Sequence, residues 1–440
     1  MSLTIIAQDN FENYYYSWNG GTCIKQNSDS SYILTGWKYG DFGIMLMKIG
    51  PSGDSLWTNY LTNKGIGQHL LITDDSDYII TGNTNDASNN DFEIIKTDSS
   101  GSILWSKNYG GPNNDFVYHL DNTSDNGYVV VGSTESYGNG LNDVFIFKTN
   151  NLGDSLWSKT FGGSGHDFGS CVETTADSGL IIAGTTESYG AGLKDIWLIK
   201  TNINGDTLWT KTYGGLNDDL GQFVQQTQDL GYIIIGTSES FGIGIRNAYL
   251  IKTDTNGDTL WTKTYNGNSP AGSGQNKLSG MCVKQTIDNG FILLTSAEPT
   301  LIRTNSIGDT LWTRSYYGSS MAGPSFLAYH YDNNIQITND NGYIFTGGTQ
   351  TEFGEVIGNI VKTDSDGMIT SISFVNSVNR NNIQIFPNPT TGVFYISEKD
   401  DLAIEIYNLH GETLFRTNES KVDISMYPNG IYFIKVTSNM

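Results

Sequence analysis

The chain has 440 residues, ample for a large core, and a net charge of −22 with a pI near 4.4. That balance argues against a surface built for nucleic acid or an anionic membrane. No apolar run approaches the roughly twenty residues that a membrane-spanning helix needs.

The N-terminus, Met1-Ser-Leu-Thr-Ile-Ile-Ala-Gln8, lacks a basic start and is too short for a complete signal peptide. It ends as such a peptide does, so residues 1–10 are read as a remnant of one whose start lies upstream. From residue 11 a unit of about fifty residues repeats, a period that signals a propeller or related array. Asp29, Asp75, Asp125, Asp177, Asp229, Asp288 and Asp340 each sit two residues before a short apolar run. Within one unit, Phe223–Gln226, Tyr232–Gly236, Ala248–Thr253 and Asp258–Thr264 read as four short strands. The expectation is all-β: a seven-bladed β-propeller of four-stranded blades over residues 11–374. In the hairpins, Asp or Asn bonds its own backbone and Gly then takes the left-handed position, as in Asp98–Gly101 and Asn202–Gly205.

Several columns recur in register. Ile24, Leu70, Leu120, Val172, Val224, Val283 and Ile335 form an apolar inner column. Trp57, Trp105, Trp157, Trp209, Trp261 and Trp312 form an outer one, read as packing between blades. Phe11 stands where that column would begin, so an N-terminal strand would close blade 7, unless Met368–Phe374 fills the slot. Twelve of the 24 basic residues occupy two further columns, Lys48 to Lys362 and Lys107 to Arg314, where partners across strands are expected. Cys23, His69, His119, Cys171, Phe223, Cys282 and Asn334 share one inner column. Soft and imidazole ligands there would suit a metal. Spread round a ring and pointing at neighbouring blades, they are expected to hold none, and the cysteines to form no disulfide.

One face carries the candidate site. The second-to-third loops read Thr134-Glu-Ser-Tyr-Gly-Asn-Gly140, Thr186-Glu-Ser-Tyr-Gly-Ala-Gly192 and Ser238-Glu-Ser-Phe-Gly-Ile-Gly244. The loops that enter the next blade supply Asp115, Asp167 and Asp219. Together with Glu135, Tyr137, Glu187, Tyr189, Glu239 and Phe241 these form a candidate ligand surface. Aromatic rings pack on sugar faces, and carboxylates could hold Ca²⁺; no other cofactor is expected. The opposing reading is loop chemistry alone. Asp254–Asp258 resembles a Ca²⁺ loop but lacks a later bidentate carboxylate, so it reads as a hairpin turn. No nucleophile elbow, zinc-protease motif or phosphate loop is present, and no catalytic residue is assigned.

After the polar linker 375–382, residues 383–440 should form a small β-sandwich. Phe386-Pro-Asn-Pro-Thr-Thr-Gly392, Ile406-Tyr-Asn-Leu-His-Gly411, Asp423-Ile-Ser and Asn429-Gly-Ile-Tyr-Phe-Ile-Lys435 follow in order. This region resembles the type A sorting domain of the type IX secretion system of Bacteroidota. Pro387, Asn388, Pro389, Gly392, Gly411, Gly430 and Tyr432 carry the motif. The resemblance implies partnership with that secretion machinery and a secreted or cell-surface location. The propeller half is similar to a bacterial β-propeller repeat family, as in Lys148-Thr-Asn-Asn-Leu-Gly-Asp-Ser-Leu-Trp157 and Gly162-Gly-Ser-Gly-His-Asp167. That similarity implies an extracytoplasmic setting and no defined activity. The expected role is binding or adhesion, with a glycan or surface polymer as partner. The alternative is a carbohydrate-active enzyme using carboxylates on the same face.

Overall fold

The computed structural model describes residues 11–15, 20–38, 43–84, 89–266, 278–296, 300–316, 334–350 and 356–369, then 385–386, 393–396, 402–407, 413–427 and 433–438. Two compact units divide the chain, Met1–Ser373 and Phe374–Met440. The first is a propeller of seven four-stranded antiparallel sheets. Blade 4 is representative, with strands Asp167–Thr174, Leu180–Thr186, Asp195–Thr201 and Thr207–Tyr213 running from axis to rim. Every residue of its two middle strands is buried, whereas its outermost strand alternates between exposed and half-buried positions. A sheet pressed between two neighbours buries both faces, which explains continuous runs such as Tyr-Ile-Ile-Ile in place of alternation.

Blades lock together through the tryptophan column. Each third-to-fourth turn ends in a glycine with positive φ, among them Gly205 at 76°. A Cβ on Gly205 would come within 2.8 Å of Trp157 in the preceding blade. The same contact joins Gly101 to Trp57, Gly153 to Trp105, Gly257 to Trp209, Gly308 to Trp261 and Gly367 to Trp312. At the remaining interface Gly53 packs on Phe11. Phe11–Tyr15 is the outermost strand of blade 7, paired antiparallel with Val356–Thr363. The N-terminal strand, not Met368–Phe374, therefore closes the ring; residues 370–374 lie outside the described residues.

Inside every blade a cation, half-buried in blades 1 and 2 and buried in the other five, is tied to the first hairpin. Lys48–Asp29, Lys148–Asp125, Lys200–Asp177, Lys252–Asp229, Arg303–Asp288 and Lys362–Asp340 are ion pairs, and Lys96 reaches Asp77 in place of Asp75. The second basic column works between blades: Lys107, Lys159, Lys211 and Lys263 bind Asp154, Asp206, Asp258 and Asp309 of the next blade. In these first hairpins the left-handed residue is not a glycine, as the sequence suggested, but Ser30, Ser76, Asn126, Ser178, Leu230, Asn289 or Asn341, all with φ between 61° and 65°. A glycine follows it in blades 3 to 7, and Ser31 and Asp77 stand there in blades 1 and 2. The glycine that follows is needed for space. A Cβ on Gly179 would lie 2.3 Å from the Thr201 carbonyl and 2.4 Å from Lys200 Nζ.

The second unit holds two three-stranded sheets that share a core of Phe394, Ile404, Ile406, Val422 and Ile424. The seven sorting-motif residues lie outside the described residues.

Three stability outcomes follow. Asp177→Ala strands the Lys200 ammonium, which is only 3% exposed, and should cost about 3 kcal/mol. Lys159→Ala, at a half-exposed pair, should leave the urea midpoint nearly unchanged. Phe11→Ala should cost about 3 kcal/mol by emptying the slot that closes blade 7, read in the same denaturation experiment.

Candidate functional site: one face of blades 3 to 5

The three distinctive loops are built alike. In blade 4, Thr186 Oγ1 accepts the Ser188 and Tyr189 amides at 3.0 and 3.1 Å. Ser188 Oγ donates to Asp167 Oδ2 at 2.6 Å, and the same oxygen accepts the Gly163 amide at 2.9 Å. Blade 3 repeats this with Thr134, Ser136, Asp115 and Gly111, and blade 5 with Ser238, Asp219 and Gly215. The hydroxyl pattern of Thr/Ser-Glu-Ser is therefore a turn, stitched to the loop that enters the blade. Both loops do emerge on one face.

Asp115, Asp167 and Asp219 are fully buried. They hold loops together and are not presented to solvent, so they leave the list of surface ligands. The glutamates are also engaged. Glu187 pairs with Lys194 at 3.3 Å and Glu239 with Arg246 at 2.8 Å, while Glu135 accepts from Asn114 and Asn142. Each is satisfied within its own neighbourhood, and no two of them share a partner.

The aromatic residues remain open. Tyr137 and Tyr189 donate their hydroxyls to the Gly110 and Gly162 carbonyls at 3.1 and 2.8 Å. Their rings lie against Phe145 and Trp197, as Phe241 lies against Tyr249. The three rings are 47%, 48% and 40% exposed. Around them Leu141, Leu193, Leu216, Ile243 and Ile245 are exposed as well. Sequence reading missed these aliphatic residues. Leu141, Leu193 and Ile245 follow the same Gly-x-Gly in each loop, so the repeat could have flagged them, whereas Leu216 and Ile243 have no such equivalents. Exposure is what the structure adds.

The inner column behaves differently from expectation. A register shift in the innermost strand of blades 1 to 6 accompanies this column. Its members meet at the axis instead of staying apart. His69 and His119 lie with ring centroids 3.9 Å apart, and His119 contacts Phe223 edge-on. Asn334 approaches Cys23, His69 and Cys282 at 3.5, 3.2 and 3.6 Å. Cys23, His119 and Cys171 each bond a carbonyl of the next blade's apolar column, at Leu70, Val172 and Val224. The column thus selects small or flat donors for bonding between blades. Among the described residues no group of three or more His, Cys, Asp or Glu side chains is placed to hold a metal. Asp254–Asp258 is a hairpin, with Asp254 Oδ1 accepting the Asn256 and Asp258 amides at 2.8 and 2.9 Å.

Three comparisons bear on this geometry. Residues 384–440 match the family described as the secretion system C-terminal sorting domain. The chain is an exported propeller. Its sorting domain directs it through the type IX secretion system to the cell surface or beyond. Over 137 residues the sequence is 26% identical to beta-agarase D of Zobellia galactanivorans, covering 30% of this chain and about a quarter (26%) of that relative. A solved structure described as streptogramin B lyase superposes with a TM-score of 0.50 at 13% identity, covering 80% of this chain and 98% of that one. That likeness concerns the fold alone.

Burial pulls the pKa of both axial histidines well below the ordinary range, aided for His69 by His119 and for both by Lys25 and Lys284. Unfolded, each would titrate near about 6.5. Their contribution to stability is therefore complete above that pH and lost as pH falls through it. Replacing them with residues from the same column, His69→Asn with His119→Phe, should flatten the loss of stability between about pH 7.5 and 5 in denaturant titrations.

Proposed function

We propose that the exported propeller is a binding or adhesion module that takes a glycan or other surface polymer on the loop face of blades 3 to 5. The observation that carries this reading is the set of exposed, pinned rings of Tyr137, Tyr189 and Phe241, surrounded by exposed aliphatic side chains. A ring fixed by its own hydroxyl bond or a neighbouring aromatic loses little freedom when a ligand covers it. Clustered exposed apolar side chains of this kind mark contact sites. Repetition on three successive blades suits a ligand that itself repeats, since each further contact adds avidity.

The likeness to a beta-agarase keeps a carbohydrate-active enzyme as the second reading. Glycoside hydrolysis needs a pair of carboxylates flanking one bond. Glu135, Glu187 and Glu239 are instead tied one by one to local partners, which favours binding over turnover.

In a glycan and surface-polymer screen, Tyr137→Ala with Tyr189→Ala and Phe241→Ala should abolish binding. Glu135→Gln, Glu187→Gln and Glu239→Gln should leave it within about threefold. Polysaccharide cleavage that disappears in the glutamine variants would instead establish the enzyme. Unchanged binding by the alanine variant would remove the face from consideration.

A further inference from the structure

Where blades 2 and 3, 3 and 4, and 4 and 5 meet beneath these loops, two aspartates come together. The pairs are Asp91 with Asp115, Asp143 with Asp167, and Asp195 with Asp219. The point that a Cβ on Gly162 would occupy lies 1.6 Å from Asp143 Oδ1 and 2.9 Å from Asp167 Oδ2. At Gly214 the corresponding distances are 1.8 Å to Asp195 Oδ1 and 2.9 Å to Asp219 Oδ2. At the remaining interface a Cβ on Gly110 would lie 2.1 Å from Asp91 Oδ1. One oxygen of Asp91, Asp115, Asp143, Asp195 and Asp219 is buried without a hydrogen-bond partner. The other oxygen holds a loop in most of them: Asp143 accepts the Asn139 amide, Asp195 the Ala191 amide and Asp219 the Gly215 amide.

The other interfaces show that the acids belong to each other. Leu278 donates its amide to the Arg246 carbonyl as Asp219 does to Lys194, so it occupies the second acid's place. The first place there is Asn247. Between blades 1 and 2 the two places are Gly43 and Gly65. Among the five described interfaces, aspartates occur at these positions as pairs or not at all.

Two carboxylates side by side in a buried site cannot both stay ionised without a counter-charge. Calcium takes six to eight oxygens. Here only two carboxylates meet, and a glycine Cα is pressed against one of their free oxygens. A proton needs no volume. We propose that each of these three interfaces is held by one proton shared between its two aspartates, so that the loop face of blades 3 to 5 is tight in acid and loosens as pH rises and the protons leave for solvent.

Burial, and then the neighbouring acid, push the carboxyls of Asp91 and Asp143 above the usual range. A raised native value gives stability that is complete below the unfolded value, about 4, and is lost as pH climbs through the native one. Of the other charged groups on these loops, Glu187 pairs with Lys194 and Glu239 with Arg246. Glu135 is held by Asn114, and His166 bonds Asn142 at 2.7 Å. All of them stay in place in the variants below, so their titrations cancel, as do those of the axial histidines, which slope the opposite way.

The test compares the full chain with Asp91→Asn/Asp143→Asn/Asp195→Asn, and with Asp143→Asn alone in case the triple variant does not fold. At pH above the ordinary carboxylate range, wild type should show a protonated-carboxyl infrared band that weakens in the triple variant, since the buried Asp121 and Glu173 contribute equally to both. Hydrogen exchange at the Ser136 and Ser188 amides, corrected for intrinsic rates, should lose on the order of tenfold protection as pH rises above the ordinary carboxylate range in wild type. The triple variant should stay flat, and Asp143→Asn should flatten Ser188 only. A band of equal strength in wild type and triple variant, or the same loss of protection in the variants, overturns the proposal. Protection restored by calcium and removed by a chelator would put a cation in the proton's place and overturn it equally. None of these readouts needs a ligand, so they stand or fall apart from the binding reading.

Discussion

Each blade must bury both faces of its sheet, and the rest of the molecule follows from that constraint. A single four-stranded sheet with two apolar faces has no stable existence in water, and two neighbours cover it. A ring supplies two neighbours to every blade only if the last blade meets the first. Phe11 meets that condition by entering the tryptophan column against Gly53, and its strand completes blade 7. The closed ring also removes every exposed sheet edge inside the blades except the rim strands, where alternating exposure marks the boundary with solvent.

Polar groups inside such a ring need partners from nearby. The Lys or Arg on each third strand, five of them buried and two half-buried, finds its partner in the first hairpin of the same blade, which fixes the turn and the third strand together. Between blades, different groups do the same work at different radii: Cys, His and Asn at the axis, Trp and glycine near the rim, and a Lys–Asp pair at the edge. Because the contacts repeat, the loops above them are free to differ. Blades 3 to 5 use that freedom to raise three pinned aromatic rings and several aliphatic side chains on one side.

An exported protein with this layout separates address from contact. The C-terminal unit carries the destination, while the propeller carries the surface that meets whatever lies outside the cell. The tethered glutamates make the loops rigid, and the aspartates beneath them join each loop to the neighbouring blade. On the proposed binding reading, a contact surface so supported would lose little entropy when a ligand arrives.

The period of the repeat, the tryptophan and lysine columns and the sorting motifs were all legible in the residues, because a repeated contact forces a repeated side chain. Fold and destination were therefore written in the chain. What the chain alone left open were distances between residues far apart in sequence. It did not show which segment closes the ring, that His69, His119 and Asn334 touch, or that Asp167 lies beneath its loop beside Asp143. Sequence spacing determines which side chains are equivalent by rotation. Only closure of the ring, which sets how near the axis each one comes and which face of a blade it meets, decides whether equivalents are neighbours.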